Sequence, residues 1–91
     1  MGRKEKVIRV IDGNTFETAS RKKSVRLANV NAPEKRQPGF NKATEILPKM
    51  IGGEVVRIET LGHDKQHGRA VARVYKGRES INRKMQQRLK R

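Results

Sequence analysis

Three short clusters in this chain combine glycine turns with charged and amide side chains: Asp12-Gly13-Asn14-Thr15, then Arg26 followed by Asn31-Ala32-Pro33-Glu34, and finally Gly68-Arg69. These residue types suit phosphodiester chemistry. An attacked phosphodiester gathers negative charge on its oxygens, and guanidinium forks offer paired donors that match it. A nearby carboxylate can orient or deprotonate a water. Plainer readings stand beside this one. Arg26 and Glu34 also suit an ion pair tying a strand to a loop, and Asn14 and Asn31 suit side-chain to backbone bonds in turns. His63 and His67 have the spacing of a metal pair on a helix, but Gly62 and Gly68 flank them, so they read as surface residues of a loop.

The elements that must hold these clusters follow from hydrophobic periodicity. Val7 to Ile11 reads as a strand stopped by the Asp12 to Thr15 turn, and Thr15 to Ala19 as its hairpin partner. Ser20 to Lys23 turns the chain into a third strand, Val25 to Val30. Pro33 and Pro38-Gly39 bracket a loop, after which Phe40, Ala43, Ile46, Leu47 and Met50 recur at helical spacing. Pro48 should end or kink that helix near Leu47. Glu54 to Leu61 and Arg69 to Tyr75 supply two more strands, with Tyr75 read as a core residue. Ser80 is the expected N-cap of a last helix whose Ile81, Met85 and Leu89 form one apolar stripe. This order predicts an α+β, mainly β fold: a five-stranded Greek-key barrel of the OB type with about two helices. Residues 7–91 form the domain in this reading, and residues 1–6 a basic N-terminal arm.

The chain has 91 residues, with 23 Lys and Arg against 9 Asp and Glu, a net charge of +14. Such a surplus repels itself unless a polyanion compensates, which makes DNA or RNA the leading partner. Contacts are expected from Lys35, Arg36, Lys65, His67, Arg83 and Lys84. If about six cations neutralised duplex phosphates, log K would fall with log salt at a slope of about −5. No apolar run approaches the ~20 residues of a membrane helix, and the opening Met-Gly-Arg-Lys-Glu-Lys lacks the apolar block of a secretory signal. The expectation is a cytoplasmic protein without a membrane partner. With no cysteine, disulfides and thiolate zinc sites are excluded.

At these residues the sequence resembles the staphylococcal nuclease-like (thermonuclease) family. Its pattern of Asp-Gly-Asp-Thr, Arg-Leu, Asp-x-Pro-Glu, Gln-Pro-Gly, Asp-x-Tyr-Gly-Arg and a closing Asn appears here in order. The matching residues are Asp12 to Thr15, Arg26-Leu27, Asn31 to Glu34, Gln37 to Gly39, Asp64 to Arg69 and Asn82. The resemblance implies that Arg26 and Arg69 clamp the phosphate and that Glu34 acts on the attacking water. It also implies that calcium would sit between positions 14 and 31 and the Ala32 carbonyl. Both family aspartates are asparagines here. An amide oxygen can ligate calcium but brings no charge, so the ion is expected to bind weakly or not at all, with Asp12 as a substitute ligand. The loop before Arg69 lacks the family tyrosine, for which His67 would partly substitute, and the chain stops before the family's last helix. The leading expectation is therefore a nucleic-acid-binding domain of this family with weak or lost phosphodiester hydrolysis. An active calcium-dependent endonuclease using Asp12 and Glu34, and an OB-type protein-interaction module, are the alternatives.

Overall fold

The computed structural model describes residues 2–33 and 36–89. Its strands are β1 (Arg3–Asp12), β2 (Thr15–Thr18), β3 (Val25–Leu27), β4 (Val55–His63), β5 (Ala70–Lys76) and β6 (Glu79–Ser80). Helix α1 (Phe40–Ile51) lies between β3 and β4, and α2 (Ile81–Arg88) follows β6. Neighbouring strands run in the order β3-β2-β1-β4-β5-β6, and a further β3–β5 pairing joins the ends of the first five. That pairing is parallel, with Val25 opposite Ala70 and Leu27 opposite Ala72. The result is a closed five-stranded barrel with one short extra strand and two helices.

β1 is long enough to serve two neighbours. Its first half pairs with β4, Arg3 opposite Ile58 and Lys6 opposite Val55, and its second half with β2, Val7 opposite Thr18 and Asp12 opposite Thr15. Residues 3–6, read from the sequence as part of a basic N-terminal arm, are thus paired with β4. The signal was hidden because Glu5 is an acid among cations, yet it is only 6% exposed. Its carboxylate accepts from Thr18 Oγ1 (2.9 Å), Ser20 Oγ (2.9 Å) and Arg21 Nε and Nη2 (2.8 Å each).

Strands turn the corners of so small a barrel at bulges. The register slips between Val7 and Arg9, between Val10 and Asp12, and in β4 between Thr60 and Gly62. The extra residues are Ile8, Ile11 and Leu61, which are 59%, 39% and 52% exposed. An unpaired bulge residue drops out of the inward-outward alternation, which is why these large apolar side chains face water.

Val7, Phe16, Val25, Leu27, Val30, Val56, Ile58, Ala72 and Val74 fill the barrel, Leu47 and Ile51 of α1 close it, and Ile81 and Met85 of α2 join the same core. The α2 stripe read from sequence therefore docks as expected, with Leu89 half-buried behind it. Ser80 Oγ accepts the Arg83 N–H and caps α2 as anticipated.

Other expectations are corrected. α1 continues through Pro48 to Ile51. Burial of Leu47 and Ile51, each worth on the order of 2 kcal/mol, offsets the roughly 3 kcal/mol that a proline costs inside a helix. The turn then closes where the Gly52 N–H reaches the Pro48 carbonyl at 2.8 Å. β3 ends at Leu27, not Val30, because Asn29 adopts φ 59 and bends the chain away. Tyr75 is half-buried outside the core cluster, with the Arg57 guanidinium 4.4 Å over its ring.

Candidate nucleic-acid interface

The three clusters converge on one cleft of about 650 Å³ at the end of the barrel. Asp12, Asn14, Arg26, Asn31, Ala32 and Arg69 all line it. Arg26 and Arg69 are neighbours through the sheet: β3 sets Arg26 opposite Thr15 on one side and Val71 on the other, two residues beyond Arg69. The β1–β2 turn is held against the cleft by Gly13. A Cβ there would come within 2.8 Å of the Ala43 Cβ and 3.0 Å of the Ala32 Cβ. A glycine lets Asp12 and Asn14 approach the 31–33 segment and α1 closely.

Arg69 is aimed by its neighbours. Its Nε donates to Asp64 Oδ2 at 2.7 Å, while Asp64 Oδ1 accepts the His67 N–H at 2.6 Å. These two contacts, the His67 amide first and the Arg69 guanidinium second, hold the Asp64 carboxyl below its ordinary range. With Nε tied down, the two terminal amino groups of Arg69 are left as a fork. Arg26 is half-buried and has no hydrogen-bond or ion-pair partner among the described residues. Two guanidinium groups directed at one cleft can take a phosphate from two sides.

The amide at position 14 is committed to the protein. Asn14 Nδ2 donates to the Val30 carbonyl at 3.0 Å, its Oδ1 accepts the Thr15 hydroxyl at 2.8 Å, and its N–H donates to Asp12 Oδ1 at 3.0 Å. Asn31 is exposed at the rim. Calcium takes six to eight oxygens, with affinity set by carboxylate charge. Among the described residues this cleft offers it one carboxylate, Asp12, beside the neutral oxygens of the exposed Asn31 amide, of the Ala32 carbonyl and of the Asn14 amide, the last already bonded to Thr15. That donor set does not fit a calcium cage.

Glu34 and Lys35 lie outside the described residues. The remaining contact candidates are not cleft-lining. Lys65 and His67 sit exposed on the turn just before Arg69, and Arg36 is exposed beside Gln37 with φ 83, a conformation unfavourable for a side chain carrying Cβ. Arg83 is exposed on the first turn of α2, and Lys84 is ion-paired with Glu79.

Several contributors escaped the sequence reading. Ile11, Pro33, Gln37 and Phe40 complete the cleft wall. Asn82, noticed only as a motif position, is buried and stitches three segments together. It accepts the Val74 N–H at 2.7 Å and donates to the Ala28 and Ala72 carbonyls at 3.0 and 2.9 Å.

A closed five-stranded barrel with two helices and a cleft lined by two arginines at the edge of β3 and β5 defines an OB-type domain. Within that class, the chain belongs to the staphylococcal nuclease homologue family, whose model matches residues 24–88. Two curated relatives, each named "Uncharacterized endonuclease", come from Escherichia coli O157:H7 and Escherichia coli. Each is 35% identical over 72 residues, covering 77% of this chain and 46% of the relative. The chain thus spans about half the length of these relatives. No helix among the described residues is long and apolar enough to cross a membrane.

Proposed function

We propose that this chain is a nucleic-acid-binding domain of the staphylococcal nuclease fold that grips backbone phosphate through Arg26 and Arg69. Its phosphodiester hydrolysis is weak or lost, and it holds no tightly bound calcium. The observation that carries this reading is the pairing, in one cleft, of the Arg26 and Arg69 guanidinium groups with an Asn14 carboxamide bonded to Val30 and Thr15. The charge of +14 supports it, since it attracts polyanions and repels a dication at long range.

The chemistry available to these residues is electrostatic. Arg69, oriented by Asp64, and Arg26 supply charge-assisted donors to phosphate oxygens, each such contact being worth about 1.5–3 kcal/mol. Binding therefore does not depend on a metal. A second reading, an active metal-dependent endonuclease, draws on the name of the Escherichia coli relatives and on Asp12 lining the cleft. In that reading, Asp12 and Glu34 are the acidic groups of the site.

Incubating the purified chain with single-stranded DNA, duplex DNA and RNA, in calcium or EDTA, separates the two. The expected outcome is a mobility shift unaffected by EDTA, with little or no cleavage. Arg26→Ala and Arg69→Ala should each weaken the shift about 10- to 100-fold. Calcium-dependent cutting that disappears in Glu34→Gln would establish the endonuclease reading instead, and the absence of any shift at low salt together with the absence of cutting would sink both.

A further inference from the structure

The chain has two phenylalanines, one tyrosine and no tryptophan. Phe16 is fully buried in the barrel, and Tyr75 lies beneath Arg57. Phe40 differs from both. It is the first residue of α1, it is outside the core cluster, and it lines the cleft that holds Arg26 and Arg69. Its position is fixed locally. Gly39 at φ 86 reverses the chain, the Phe40 N–H donates to the Gln37 carbonyl at 3.2 Å, and one turn later Ala43 is clamped against Gly13. Ile11, an extra bulge residue with 39% of its surface exposed, and Pro33 line the same cleft.

One wall of the cleft is thus cationic and another is apolar with one aromatic ring. Phe40 is partly buried, and the part of its ring left uncovered at the cleft is a contact surface suited to something planar and apolar. The ligand complementary to both walls carries a phosphate and a flat, weakly polar group a few ångströms away, which is a nucleotide unit with its base unstacked. Resting on the reading of Arg26 and Arg69 as the phosphate grip, we infer that Phe40, backed by Ile11, is a platform on which a base of an unpaired strand stacks. It selects single-stranded nucleic acid over duplex, in which both faces of each base are already covered. Stacking of this kind is tolerant of sequence, because every base presents a π face.

Phe40→Trp would place the only tryptophan of the chain on the platform. Titrated with a short single-stranded oligodeoxynucleotide, the variant should lose tryptophan fluorescence in step with binding followed on the labelled oligonucleotide. Inorganic polyphosphate, and a blunt duplex at equal phosphate concentration, should leave the emission nearly unchanged. An independent arm uses the unaltered chain. It should bind the oligonucleotide roughly ten-fold or more tightly than an abasic strand of the same length and charge. Oligonucleotide binding without quenching, together with equal affinity for the abasic strand, would overturn the platform while leaving the phosphate grip standing. Quenching by the duplex as strong as by the single strand would overturn the selection for an unpaired base. No binding of oligonucleotide or polyphosphate by the unaltered chain would instead remove the underlying reading.

Discussion

At the scale of single residues, the position that decides the chemistry is Asn14. A carboxylate there could not donate to the Val30 carbonyl 3.0 Å away and would face it as a second acceptor. The amide instead clips the β1–β2 turn to the segment that carries Asn31 and Ala32, so the cleft is assembled by a hydrogen bond. Asn14→Asp should therefore cost about 1–2 kcal/mol, or roughly 5–10 °C in Tm. Millimolar calcium should restore part of that loss. Thermal melts of the parent and the variant, each in calcium and in EDTA, check this. The parent should melt at the same temperature in both. A variant as stable as the parent in EDTA would mean that the clip contributes nothing. Asp64 works in a comparable way: its bond to Nε restricts the rotation of Arg69, so that in the proposed phosphate grip the guanidinium would not need reordering.

At the scale of elements, the N-terminal half of β1 is anchored by the Glu5 network to the 18–21 turn. Burial pushes the Glu5 carboxyl up, but its bonds to Arg21, Ser20 and Thr18 prevail and bring it down from 4.5 to about 2. The folded form thus holds the deprotonated group more strongly than the unfolded chain does. The resulting stabilisation, on the order of 3 kcal/mol, is fully present above pH 4.5 and fades as the pH falls toward 2. In Glu5→Gln that part of the acid dependence should be missing, and the variant should be less stable at pH 7. Denaturant unfolding of both proteins between pH 2 and 7 measures it. None of this network could be read from the sequence, because the partner Arg21 lies 16 residues away and Glu5 is surrounded by cations. Local patterns were another matter. Alternation marked the strands, Phe40, Ala43 and Leu47 marked α1, and the glycine turns marked the cleft residues. The bulges at Ile8 and Ile11 were illegible because the slip depends on the partner strand. The continuation of α1 past Pro48 was decided by burial of Leu47 and Ile51, a tertiary effect.

At the scale of the whole molecule, the net charge of +14 predicts that the proposed association with nucleic acid will depend strongly on ionic strength. If Arg26, Arg69 and about four other cations neutralise phosphates of a single strand, the slope of log K against log salt should be about −4. Phe40→Ala should lower affinity at every salt concentration without altering that slope, whereas Arg26→Ala should make it shallower by about 0.7. Fluorescence anisotropy across a salt series distinguishes the two. The barrel itself carries a temporal consequence. Its closing seam joins Val25 to Ala70, and the Asn82 carboxamide fastens Ala28, Ala72 and Val74 behind that seam. In a chain made from its N-terminus, the early hairpin and α1 precede the β5 side of that seam, so Phe16, Leu27 and Leu47 are expected to stay uncovered until it arrives. Closure of the seam between β3 and β5, with docking of α2, is then expected to be a late, long-range step of folding.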